Sequence, residues 1–143
     1  MNALSIQSLR RSLRPAFAAI LLAGAAASGW AADAKLSGDQ EVPPVTTSAT
    51  GVAKITVAAD GAVSGSVTTT GVAGTAAHIH IGAAGKNGGV VVPLTKTGDG
   101  VWSVPAGAKL DADQLKAYQA GELYVNVHSE ANKPGEIRGQ LKP

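Results

Sequence analysis

The 143-residue chain has no Cys, 18 Gly, seven Pro and few aromatic residues, namely two Trp, two Tyr and one Phe. This length is typical of one domain, and the lack of Cys excludes disulfides, thiolate metal sites and a Cys nucleophile. The formal net charge of +2 depends on Arg10, Arg11 and Arg14, because from Lys35 onward nine Lys and Arg balance nine Asp and Glu. That near-neutral part has a single Arg, Arg138, and no basic stripe for phosphates, so we expect no nucleic-acid partner.

The first 31 residues have the pattern of a secretory signal peptide. Three Arg and no acidic residue precede an apolar run at residues 15–27, and small residues follow that run. The run is shorter than the ~20 residues that a membrane-spanning helix needs, although a retained membrane anchor is the alternative interpretation. We predict cleavage after Ala31 or Ala34, a single mature domain at residues 35–143, a periplasmic or secreted location, and no membrane association after cleavage.

Beyond this segment, short stretches rich in Val, Ile and Thr alternate with turns rich in Gly, Pro, Asp and Asn, which is typical of an all-β sandwich or barrel. Asp60-Gly61 predicts a hairpin turn. One short helix is predicted after Asp111, with Gln114 as its capping-box partner and Gly121 as its end. The predicted core is aliphatic, with Trp102 and Tyr124 added. The predicted strands are Gly51–Val57, Val63–Thr70, Ala77–Ile81, Val90–Leu94, Val101–Val104, Leu123–His128 and Glu136–Leu141.

All three His residues of the chain lie on two of these strands. Successive side chains of a strand point to opposite faces, so the apolar residues of Ala77–Ile81 share one face and His78 and His80 share the other. By the same alternation, His128 lies on a polar face with Tyr124 and Asn126. If the two strands are close, the three imidazoles converge.

Three imidazoles without a thiolate suit Cu(II) or Zn(II), and they can also hold Cu(I), whereas Ca and Mg prefer oxygen ligands. We therefore predict a metal site formed by His78, His80 and His128, with copper as the first choice and zinc as the second. The alternative is that the three His are ordinary hydrogen-bonding surface groups.

Further polar residues accompany this site. Glu136, Arg138 and Gln140 share one face of the last predicted strand, and Asn126 shares the face of His128. If the two strands pair, Glu136 and Asn126 are candidates to orient a metal-binding His, and Arg138 is a candidate to attract an anion. The alternative is a Glu136–Arg138 ion pair that stabilises the hairpin. The sequence contains no motif typical of hydrolases, phosphate-binding loops or dinucleotide sites.

Four blocks of the sequence, in order, closely resemble the CHRD domain, first described in chordin. The blocks are Gly38–Val45, Ala77–Gly82, Gly121–His128 and Gly135–Leu141, and the resemblance covers residues 36–142. It implies a β-sandwich module located outside the cytoplasm, and it leaves the biochemical role of that module undefined.

A weaker similarity links Gly51–Ile81 and Val125–His128 to Cu/Zn superoxide dismutase. That resemblance implies a Greek-key-like antiparallel β-sandwich in which His78, His80 and His128 are copper ligands and Arg138 guides an anion. The sequence has no fourth His to bridge two metals, no zinc ligand set and no Cys for a disulfide.

Together these features predict an all-β, secreted or periplasmic domain that binds one transition metal ion, in metal binding or trafficking rather than catalysis. One alternative is a copper-only enzyme similar to superoxide dismutase. The other is an extracellular interaction module without a metal. Besides a metal ion, the candidate partners are a second copy of the chain and an envelope protein.

Overall fold

The computed structural model describes residues 29–143, so all but the last three residues of the predicted signal peptide lie outside the described residues. No helix in this part of the chain is long and apolar enough to cross a membrane. It contains one α-helix, α1, at Ala112–Gln119 and nine strands. The strands are β1 (Gly29–Ser37), β2 (Thr50–Ala58), β3 (Val63–Thr70), β4 (Gly74–Ile81), β5 (Val90–Pro93), β6 (Thr95–Gly98), β7 (Val101–Ser103), β8 (Leu123–Ser129) and β9 (Ile137–Leu141).

The nine strands of residues 29–143 form one antiparallel sheet in the order β5-β4-β8-β9-β1-β2-β3-β7-β6. The ladder between β9 and β1 consists of a single residue pair, Ser37 with Arg138, so the sheet divides there into a four-strand half and a five-strand half. The two outermost strands, β5 and β6, are consecutive in the chain and are joined at Leu94, whose N–H donates to the Ala77 carbonyl. The sheet is therefore nearly closed, and the predicted all-β fold with one short helix is confirmed.

The hairpin of β2 and β3 shows how sequence pattern produces this architecture. The residues of β2 alternate between buried and exposed, with Ala53, Ile55 and Val57 facing the core, as expected for a strand with one solvated face. The chain returns at Gly61, whose φ of +88° is accessible to Gly without steric cost.

Two strands were not predicted. β1 is rich in Ala, a poor strand former, but it pairs along its whole length with β2 and buries Ala32, Ala34 and Leu36. All four residues of β6 are exposed, so no alternation of apolar and polar residues marks this strand.

The core fills the space between the two halves of the sheet with Val, Ile, Leu and Ala side chains, together with Trp102 and Tyr118. The prediction for Tyr124 was wrong in part. Its side chain is buried, but it lies outside the apolar core cluster and stacks on His80. The cause is the alternation along β8, which places Leu123 and Val125 in the core and Tyr124 on the opposite face.

The helix α1 begins as predicted. Asp111 accepts hydrogen bonds from the N–H groups of Asp113 and Gln114, and the Gln114 side chain accepts from the Asp111 N–H, which completes the capping box. The chain leaves the helix through Gly121 at φ +73°, and β8 starts two residues later.

Strands β8 and β9 are buried on both faces. Their apolar residues face the core, whereas Tyr124, Asn126 and Arg138 on the other face are at most 2% exposed. Two segments, the stretch from Gly38 to Thr47 and the loop from Gly82 to Gly89, donate or accept hydrogen bonds with side chains of this face. The predicted site residues therefore lie in a polar layer that is buried at His80, Asn126 and Arg138 and half-buried at His78 and His128.

Candidate metal centre

The pairing of β4 with β8 brings the three His residues together. In this antiparallel register His78 lies opposite Asn126, His80 opposite Tyr124, and His128 opposite Ala76. The side chains that share one face of the two strands are those of His78, His80, Tyr124, Asn126 and His128. The register between these strands was not determined by the sequence, and it is the one that the predicted site requires.

The three imidazoles form a compact cluster. The Nδ1 atom of His78 is 2.9 Å from the Nε2 atom of His128. The centre of the His78 ring is 4.8 Å from that of His128 and 5.4 Å from that of His80. One ligand nitrogen from each ring lies within 4.8 Å of the other two. The predicted convergence of His78, His80 and His128 is confirmed.

Backbone carbonyls fix the orientation of two rings. The Nδ1 atom of His80 is 3.0 Å from the Gly88 carbonyl oxygen, and that of His128 is 2.8 Å from the Lys133 carbonyl oxygen. Because a carbonyl oxygen only accepts, each Nδ1 carries a proton and donates it. In the neutral rings both Nε2 atoms then hold lone pairs.

The cluster favours neutral imidazoles. Burial lowers the pKa of His78, and the neighbouring His128 and His80 lower it further. Burial also lowers the pKa of His80, more than its hydrogen bond to Gly88 raises it, and the charges of His128 and Arg138 act in the same direction as burial. Since metals bind the neutral form of His, these shifts extend metal binding to lower pH.

The donor set fits a transition metal ion. The Nε2 atom of His80 is buried and has no hydrogen-bond partner, although buried polar atoms are normally paired. Nitrogen ligands lie about 2.0–2.1 Å from zinc, so two ligands of one ion are at most about 4.2 Å apart. The three candidate ligand nitrogens lie within 4.8 Å of one another, which is close to this limit.

A stack of three side chains supports the cluster from one side. The ring of Tyr124 is parallel to that of His80, with centres 4.9 Å apart. The guanidinium carbon of Arg138 lies 3.4 Å from the centre of the Tyr124 ring. The Tyr124 hydroxyl accepts a hydrogen bond from the Gly88 N–H, so the residue that stacks on His80 also holds the loop that orients His80.

Arg138 is committed to that same loop. It is 1% exposed and donates to the Ala83 carbonyl, the Gln140 side chain and the Asn87 side chain. It also lines a cavity of about 390 Å³ that is bordered by Glu41.

The Glu136 carboxylate forms hydrogen bonds with two hydroxyl groups. It accepts these bonds from Thr47 and Ser129, and they lower its pKa, the Ser129 bond most strongly. The hydrogen bonds that orient the imidazoles come from backbone carbonyls instead. Glu136 also forms no ion pair with Arg138 among the described residues, so the predicted structural pair is wrong. Strand alternation could not predict the two hydrogen bonds of Glu136, because Thr47 and Ser129 lie in other segments of the chain.

Sequence reasoning also missed one buried acid. Glu41 is 5% exposed and borders the polar layer from the end of the short 3-10 helix Gly38–Gln40. Burial raises its pKa, while Arg138 and Asn126 lower it. The only signal in the sequence was its place in the first block that resembles the CHRD domain.

The comparison with protein families found one match. The model of the CHRD domain matches residues 32–141, which is well over half of the chain. The chain belongs to the CHRD domain family. The comparisons with curated proteins and with solved structures found no match, so neither supports the similarity to superoxide dismutase.

Proposed function

We propose that this CHRD domain binds one transition metal ion through His78, His80 and His128, and that it serves metal binding or trafficking in the periplasm or outside the cell. The observation that carries this proposal is the convergence of three imidazoles, one of which has a buried and unpaired Nε2 atom. Neutral rings held by backbone carbonyls are the form that a metal ion requires.

An all-imidazole set without thiolates suits both copper and zinc. Copper is the first choice for the bound ion and zinc the second. Bound copper would supply a one-electron redox couple, and bound zinc a Lewis acid. The location outside the cytoplasm is supported by the signal-like pattern of the N-terminal sequence and by membership of the CHRD family.

The position of Arg138 favours binding over a dismutase-like activity. A residue that guides anions needs a solvent-accessible cation near the metal, whereas the Arg138 guanidinium is 1% exposed and stacks on Tyr124. We therefore expect a copper-loaded sample to show no superoxide dismutation above that of free copper.

Calorimetric titration of the purified protein with Cu²⁺ and with Zn²⁺ tests the proposal. We expect saturation near one ion per chain and loss of this binding in the variant H78A/H80A/H128A. Denaturant unfolding of the same variant serves as the control for folding. Binding that persists in the folded variant would contradict the proposal and favour an interaction module in which the His cluster has no metal.

A further inference from the structure

Three buried side-chain atoms beside the His cluster have no hydrogen-bond partner. They are the Nε2 atom of His80, the Oδ1 atom of Asn126 and the Oε1 atom of Glu41. Their residues are 8%, 2% and 5% exposed, respectively. Unpaired buried polar atoms are rare in folded proteins, so three in one polar layer indicate a missing binding partner.

Asn126 lies at the centre of this layer. On β8 it is directly opposite His78 on β4 and directly opposite Arg138 on β9. Its amide nitrogen donates to the Pro134 carbonyl at 3.3 Å. The amide side chain therefore stands between the imidazoles and the buried charged residues.

Gly135 allows Glu41 to approach Asn126. A Cβ atom at this position would overlap the Glu41 carboxylate and would lie 2.6 Å from the Asn126 amide nitrogen. Both groups therefore flank the same backbone position. Since the amide nitrogen is a donor and the carboxylate an acceptor, this arrangement turns the Asn126 nitrogen toward Glu41 and its oxygen away from it.

The Asn126 side chain shares its face of the sheet with the imidazoles, since Asn126 lies directly opposite His78. Its unpaired oxygen and the unpaired Nε2 atom of His80 are both buried in this layer. In the neutral His80 ring, Nε2 holds a lone pair, because Nδ1 donates to the Gly88 carbonyl. A cation bound at the His cluster satisfies two such acceptors at once.

We propose that Glu41 and Asn126 are positioning residues of the His site: the negative charge of Glu41 keeps the Asn126 amide nitrogen on its own side, so that the amide oxygen faces the bound ion, and the Glu41 carboxylate offsets the positive charge of that ion. This inference rests on the proposed metal binding. It assigns to Glu41 the role that the sequence had suggested for Glu136.

The charge balance of the layer agrees with this role. Without an ion, Glu41 has Arg138 as a neighbouring cation, yet burial still raises its pKa, so the carboxylate is not fully compensated. A divalent ion held by neutral imidazoles adds positive charge to the same layer and stabilises the ionised form. Glu41 therefore contributes more to the metal-bound protein than to the metal-free protein.

The test is titration of the full chain with Cu²⁺, comparing the wild type with E41Q. We expect the Kd of E41Q to rise at least tenfold, the range found for residues that support metal ligands. We also expect a changed Cu²⁺ EPR spectrum, and no loss of stability in metal-free E41Q, because Gln removes a poorly compensated buried charge. E41D keeps the carboxylate and should recover part of the affinity.

The matched control is E122Q, which removes the same charge from an exposed residue and should leave the Kd and the spectrum unchanged. His-dependent binding in the wild type with an unaltered Kd in E41Q would overturn this inference and leave the metal site intact. An E41Q variant that no longer unfolds cooperatively would show a structural role and would also overturn it. A wild type without His-dependent binding would overturn both proposals.

Discussion

Replacement of Arg138 by Ala tests whether the polar layer is held by this one cation. The buried guanidinium donates at 3.0 Å to Ala83 and at 3.2 Å to Gln140, with a longer contact of 3.4 Å to Asn87. Hydrogen bonds from a charged donor contribute about 1.5–3 kcal/mol each, and these overlap because they share one group. Loss of the cation also removes the charge that lowers the pKa of the buried Glu41 carboxylate.

From the two shorter of these hydrogen bonds we therefore expect R138A to lose about 3–5 kcal/mol of the free energy of unfolding, a large part of the roughly 5–15 kcal/mol of an ordinary domain. Urea unfolding at neutral pH measures this loss. The variant R138K keeps the charge without the planar fork, so it should recover only part of the stability. A loss below about 1 kcal/mol in R138A would contradict this prediction, because it would mean that these bonds contribute no more than a single neutral hydrogen bond.

Two further predictions concern the His cluster. The lowered pKa values of His78 and His80 mean that the unfolded chain binds more protons than the folded one as the pH falls below about 6.5. The free energy of unfolding of the metal-free protein should therefore fall through this range, and a flat profile, or the same slope in H78Q/H80Q, would contradict the assignment. In G88A, the new Cβ would overlap the Ile81 carbonyl, so the carbonyl that orients His80 must move. We expect about tenfold weaker Cu²⁺ binding by calorimetry, whereas G89A, with open space around its Cβ, should bind like the wild type.

The candidate ligands could be predicted from the sequence because strand geometry is local. The period of two assigned His78, His80 and His128 to polar faces before any tertiary contact was known. Their convergence could not be predicted in the same way. It depends on the register of β4 with β8, which is set by packing of the opposite, apolar face rather than by the His residues themselves.

The supporting residues were harder to predict because they come from segments without periodicity. Glu41 follows a single 3-10 turn, and the carbonyl of Gly88 belongs to a glycine-rich loop. Every residue has a backbone carbonyl, so the sequence does not show which carbonyls orient His80 and His128. Strand alternation alone suggested that Glu136 orients a His. Alternation does not show which residues of other segments bind the carboxylate, and here they are Thr47 and Ser129.

The burial of β1 predicts where the signal-like N-terminal segment is cleaved. Cleavage after Ala31 keeps Ala32 and Ala34, which are 0% and 5% exposed in the core, whereas cleavage after Ala34 removes both. Two buried methyl groups and their ladder hydrogen bonds correspond to about 2–4 kcal/mol of stability. We therefore expect the mass of the exported protein to fit an N-terminus no later than Ala32, where the family match also begins. A chain that starts at Lys35 should unfold at lower urea concentration than one that starts at Ala32, and equal midpoints would show that this part of β1 does not stabilise the fold.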